Sequence, residues 1–135
     1  VIDCIATDHA PHSLQDKSTN FNEAAFGITG LETALASLLP LVSKNRISLN
    51  TLVEKLTCGP KQIIRQSYSS SGSINRGSLA DITIFDTSKE WTVDADHLES
   101  KGKNTPLYGL NLKGQVMFTI LGGNLVYENS GVVNA

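Results

Sequence analysis

The chain has 135 residues, a formal charge of -2, a pI near 5.9 and 18% charged residues. This balance offers no basic stripe for nucleic acid and argues against disorder, which leaves a small molecule as the natural ligand. No apolar run approaches the roughly 18 residues that span a bilayer, and no segment reads as a signal peptide, so a cytoplasmic protein is expected.

The first element is Val1-Ile2-Asp3-Cys4-Ile5-Ala6, nearly continuous in apolar residues. That pattern suits a parallel strand covered on both faces better than a half-exposed one. It runs into Thr7-Asp8-His9-Ala10-Pro11-His12. Barrel enzymes gather their chemistry at the C-terminal ends of parallel strands, which places Asp8 and His12 where catalysis is expected. The plain alternative is a capping aspartate and a histidine in a proline turn. The polar residues from Ser13 to Phe26 then make either a loop over the site or an ordinary surface excursion.

Leu31, Ala34, Leu35, Leu38, Leu39 and Val42 recur at helical spacing, with Pro40 expected to kink or divide the helix. Ser48 fits the N-cap of a second helix, with Ile47 placed to staple onto Leu52 and a buried face of Leu49, Leu52, Val53 and Leu56. Gly59-Pro60 breaks the chain, and Pro60 suits the first position of a third helix through Ile63, Ile64 and Arg65. Cys4 and Cys58 match no metal-pair spacing and read as buried thiols in a reducing compartment.

The Ser-rich stretch 67–73 is the best internal boundary, dividing the chain into 1–66, a 67–73 linker and 74–135. Beyond it the composition turns to strands, over Ile82 to Phe85, Gln115 to Leu121 and Leu125 to Tyr127. Gly122-Gly123-Asn124 turns the last two into a hairpin. His97, within Asp94-Ala95-Asp96-His97-Leu98-Glu99, reads as an exposed helical turn rather than a ligand.

Three blocks in order resemble type I dihydroorotases of the amidohydrolase superfamily. The first is Ala6-Thr7-Asp8-His9-Ala10-Pro11-His12 followed by Phe26-Gly27-Ile28-Thr29-Gly30-Leu31-Glu32-Thr33-Ala34. The second is Gly72-x-Ile74-x-x-Gly77-Ser78-Leu79-Ala80-Asp81-Ile82-Thr83-Ile84-Phe85-Asp86. The third is Lys101-Gly102-Lys103-Asn104-Thr105-Pro106-Leu107-Tyr108-Gly109, then Gly114-Gln115-Val116 through Gly122-Gly123. The resemblance implies an α/β fold: the last strand and helices of a metal-dependent-hydrolase (β/α)8 TIM barrel, followed by part of a small β-sandwich domain. It departs from the family at Gly59, where asparagine is common.

The same resemblance implies reversible hydrolysis and cyclisation between dihydroorotate and N-carbamoyl-L-aspartate in pyrimidine biosynthesis, dependent on Zn2+. Asp8 becomes a metal ligand and the group that takes a proton from the zinc-bound hydroxide and passes it to the departing ring nitrogen. His12 would bind the substrate carboxylate, and Phe26 and Gly27 would contact the ring through the backbone. His9 would support the site from behind, pointing away from it. Lys101 and Asn104 would hold the return segment, and Asp81 and Trp91 would be structural. Family members often form homodimers.

The His-x-His pair, the strand lysine and the further histidines of such zinc sites are not in this sequence, whose only histidines are His9, His12 and His97. The simplest expectation is the C-terminal piece of a chain about three times longer, since a barrel needs about 250 residues and its partner domain more. On that expectation the piece alone is inactive and works with the rest of its polypeptide. Three other readings stay open: a hydantoinase or allantoinase specificity, a non-catalytic dihydroorotase-like subunit, and an independent binding module. The last would leave an apolar strand exposed as an edge.

Overall fold

The computed structural model describes residues 2–64 and 73–129. The 67–73 linker lies almost wholly outside the described residues, as do Val1, Arg65 and 130–135. Among the described residues, four α-helices precede a three-stranded antiparallel sheet: α1 (Leu14–Lys17), α2 (Ala34–Ser43), α3 (Leu49–Leu56), α4 (Cys58–Ile64), β1 (Ile82–Thr92), β2 (Asn111–Leu121) and β3 (Asn124–Glu128).

The opening segment corrects the expectation of a buried strand. Residues 2–8 form no regular element, and Ile2 is 68% exposed. A parallel strand needs neighbours on both edges. Here the Ile5 N–H is donated to the Lys55 carbonyl at 2.9 Å, and His9, just beyond the segment, makes a parallel bridge with Ile28. It passes over α4 at Gly59, where any Cβ would run into the Asp3 carbonyl. That close approach gives the departure from asparagine a physical reason. Cys4 and Cys58 are half-buried rather than buried.

Helix α2 runs undivided through Pro40, so of the expected kink or division the division is absent. The ring removes the bond to the Ala36 carbonyl, but Pro40 faces solvent, while Ala36 and Leu39 are buried at 1% and 6% exposure. Helix α3 begins at its expected cap, and of its expected buried face Leu52 is buried while Leu49, Val53 and Leu56 are half-buried. Ser48 Oγ accepts the Thr51 N–H at 3.0 Å, and Leu52 is fully buried, which is worth about 2 kcal/mol. Helix α4 starts at Cys58, so Pro60 sits third rather than first. Its missing N–H is harmless there, because the first turn has no internal acceptors to satisfy.

Strands β1 and β2 pair from Ile82↔Ile120 to Thr92↔Asn111, each longer than the sequence pattern indicated. Their register slips between Asp86 and Glu90 opposite Gly114. Asp86 closes this bulge by accepting from the Ser88 N–H and hydroxyl at 2.7 and 2.6 Å. Trp91 Nε1 donates to the Gly114 carbonyl at 2.8 Å, and Asp81 Oδ1 accepts the Gly122 N–H at 2.8 Å, so both residues hold the sheet as expected. Gly122 and Gly123 turn the hairpin with φ of +56° and +82°. Helix α2 lies on β2, with Leu39 filling the space a Gly114 side chain would need. Val93, Ala95 and Leu98 complete the core. The turn Ala95–His97 is a short 3-10 helix whose histidine is exposed and bonded to Asp94, in agreement with its reading as an exposed helical turn.

Candidate active site

The site is built where the opening segment turns at Asp8. Asp8 has φ of +47°, a conformation that aspartate tolerates better than most residues, and its side chain faces solvent. Four residues on, His12 Nε2 lies 2.7 Å from the Phe26 carbonyl oxygen. A carbonyl only accepts, so Nε2 carries the proton of this bond and Nδ1 is left for other partners. Gly27 has φ of +113°, and a Cβ there would collide with Ala10 and sit 3.5 Å from His12 Nε2. Only glycine lets Phe26-Gly27 close on the turn in this way. The Phe26 ring itself is 88% exposed.

The structure thus brings His12, Phe26 and Gly27 together, with Asp8 at the start of the same turn. His9 faces elsewhere. Its Nδ1 accepts the Gly30 N–H at 3.1 Å and the Leu31 N–H at 3.4 Å, and its Nε2 is 3.4 Å from Ser100 Oγ. Ser100 donates in turn to Glu32 from its N–H at 2.8 Å and its hydroxyl at 3.3 Å. Burial pushes the Glu32 carboxyl up, but the Ser100 bonds outweigh it and leave the group below the usual carboxylate range. Glu32 is therefore a tether between segments.

Asn104 holds the turn from the far end of the chain. Its Oδ1 accepts the His12 N–H at 2.9 Å, and its Nδ2 donates to the Ala10 and Gly27 carbonyls at 3.1 Å each. Lys101 and Lys103 are exposed, and the buried Gly102 seats the return segment. A Cβ on Gly102 would lie 2.7 Å from Pro11 Cβ and 2.9 Å from the His12 nitrogen, and Lys103 Nζ donates to the Leu98 carbonyl at 2.6 Å.

The loop between Ser13 and Phe26 contains α1, which the sequence reading left unassigned although Ser13-x-x-Asp16 is a capping box. The Ser13 hydroxyl and N–H hold the Asp16 carboxyl below its ordinary range. Lys17 at the helix end donates to the carbonyls of Ala25 at 2.7 Å and Gly27 at 3.1 Å. Neither Lys17 nor Ser100 had a sequence signal, because their partners are backbone groups and a carboxylate far along the chain.

Among the described residues no three His, Cys, Asp or Glu side chains converge. Zinc sites use at least three protein ligands, so this chain by itself does not fit the zinc that the family resemblance implies; Asp8 offers one oxygen donor. No described helix is long and apolar enough to cross a membrane.

No protein-family model matches the chain. Among curated proteins it is 49% identical over 127 residues to a dihydroorotase of Geobacter metallireducens and 45% identical to one of Trichlorobacter lovleyi. Each match covers 94% of this chain and 29% of the relative, so the chain spans less than a third of the length of these enzymes. Among solved structures, L-hydantoinase from Arthrobacter aurescens aligns with a TM-score of 0.85 at 33% identity, over 98% of this chain and 30% of that one. Dihydropyrimidinase from Brevibacillus agri shares the fold, with a TM-score of 0.83 at 24% identity over 96% of this chain and 29% of that one. Over nearly all of its own length, this chain is homologous to a portion of the dihydroorotases of the amidohydrolase superfamily.

Proposed function

We propose that these residues serve, within a longer polypeptide, a dihydroorotase that opens and closes the dihydropyrimidine ring of dihydroorotate. The single observation that supports this most is the His12–Phe26 bond of 2.7 Å, which joins the residues expected to contact substrate into one turn beside Asp8. Asp8 takes a proton from the attacking water and hands it to the departing ring nitrogen, for which an exposed carboxylate on a fixed turn is suited. His12 binds the substrate carboxylate as the doubly protonated ring, donating from Nδ1–H while Nε2–H holds the Phe26 carbonyl, and Phe26-Gly27 meets the ring through its backbone. The division into a barrel portion over 1–66 and a β-sandwich portion over 74–135 belongs to the same reading, supported by helices before the boundary and strands after it. Zinc, which would supply an activated water, needs ligands beyond Asp8.

A second reading is a hydantoinase-type specificity, favoured by the likeness to the Arthrobacter enzyme. The full-length polypeptide carrying this sequence, purified with zinc, should be offered dihydroorotate and hydantoin side by side. Turnover of dihydroorotate is expected, with His12→Asn raising its KM about tenfold or more, the equivalent of one lost charge-assisted hydrogen bond. Preference for hydantoin, with His12→Asn neutral, would establish the second reading. No turnover of either compound would leave a non-catalytic subunit.

A further inference from the structure

Three successive carbonyls, those of Ala25, Phe26 and Gly27, each accept a side-chain donor. Lys17 donates to the first and third, His12 to the second, and Asn104 shares the third. This concentration of donors on three consecutive peptide groups is unlike the rest of the loop.

Helix α1 has four residues and no buried side chain. A helix this short does not persist on its own, so its form rests on the Ser13–Asp16 capping box and on what it grips. It grips the 25–27 segment twice. The Asp16 carbonyl accepts the Ala25 N–H at 3.1 Å, and the half-buried Lys17 ammonium spans the Ala25 and Gly27 carbonyls. Hydrogen bonds from a charged donor are about twice as strong as neutral ones, which makes Lys17 the principal fastener of the segment. Fixing the carbonyls of residues 25 and 26 also fixes the planes of the peptides that end in the Phe26 and Gly27 N–H groups.

We propose that Lys17 is a positioning residue for substrate binding: it fixes the Phe26-Gly27 step against His12, with Asn104 bracing the same carbonyl from the opposite end of the chain. The inference rests on the substrate-contact reading of Phe26-Gly27. It concerns how the step is held, not which group performs chemistry.

The test uses the full-length, metal-loaded polypeptide with dihydroorotate, together with hydrogen exchange on a peptide containing residues 24–28. Lys17→Gln should raise KM about tenfold with kcat changed by less than about twofold, because a contact made equally in ground and transition states affects binding alone. Exchange at the Ala25 amide should quicken in the same variant. Lys17→Arg, which keeps a charged multiple donor, should restore most of the affinity. A wild-type KM and unchanged exchange in Lys17→Gln would overturn the proposal. So would a large fall in melting temperature that Lys17→Arg does not rescue while KM stays fixed, because that marks a merely structural lysine. If the unmodified protein turns over no cyclic amide, the functional reading falls and the positioning role with it; an active enzyme indifferent to Lys17 would remove the positioning role alone.

Discussion

The Oδ1 of Asn104 accepts the backbone N–H of His12 at 2.9 Å across 92 residues of sequence. One amide side chain thus makes three bonds to the turn that holds the candidate site, from a segment that belongs to the other portion of the fold. Asn104→Asp keeps the shape and the acceptor but places an oxygen opposite the Ala10 and Gly27 carbonyls. A loss of about 1–3 kcal/mol is expected, since the half-buried Ala10 carbonyl loses the Asn104 donor and the Gly27 carbonyl keeps Lys17 but loses Asn104. Denaturant unfolding of the full-length protein measures it, and an unchanged midpoint would contradict the bracing role.

Asp8→Asn should retain the fold and lose activity. Asparagine accepts the positive φ of +47° as readily as aspartate, so the turn survives. An amide cannot carry the proton, and kcat should fall by about 10²- to 10⁴-fold. Steady-state kinetics beside a thermal melt separates the two effects; turnover near wild type would remove Asp8 from the chemistry.

Gly27→Ala should cost about 1–3 kcal/mol and weaken substrate binding. The backbone there sits at φ of +113°, and the added methyl meets Ala10. The predicted signature is a lower unfolding midpoint together with a higher KM. A stable variant with unchanged KM would show that the Phe26-Gly27 step moves freely.

Glu32 links stability to acid. Its carboxyl lies below its ordinary range in the folded state, so the stabilisation is present above the unfolded value of about 4.3 and is lost as pH falls through the lower folded value. Stability measured from neutral pH downward should therefore decline less steeply in Glu32→Gln than in wild type over that acid window. Parallel curves would mean that Ser100 does not favour the charged form.

Ser48→Ala removes the acceptor of the Thr51 N–H and should destabilise by about 1 kcal/mol, read from equilibrium unfolding. Activity should be unaffected, because α3 contributes no group to the site.

Sequence was most informative where the determinants are local. Ser48 capping α3, the Gly122-Gly123 hairpin and the Asp8-to-His12 turn depend on residues within a few positions of one another, and each is visible in order and spacing. The first strand was misjudged because apolar content predicts burial only where neighbours exist on both edges, and residues 2–8 are tied to α3 by the Ile5 N–H bond, with the bridge to Ile28 made by His9 beyond them. Pro40 leaves α2 undivided because its exposed position lets the helix forgo one bond. Asp8, His12, Phe26 and Gly27 were named from the order of motifs. The groups that hold them, Lys17, Ser100 and Asn104, act on backbone carbonyls or on partners up to 94 residues away, and no periodicity encodes such pairings.

The meeting of Gly102 with Pro11 and the His12 nitrogen sets where this turn can be altered. Its rear surface is backbone and proline against a residue with no side chain, so it offers nothing to trim or enlarge by a single exchange. Redesign of ligand preference has room only at the front, where the Phe26 ring stands in solvent and can be replaced without disturbing what lies behind it.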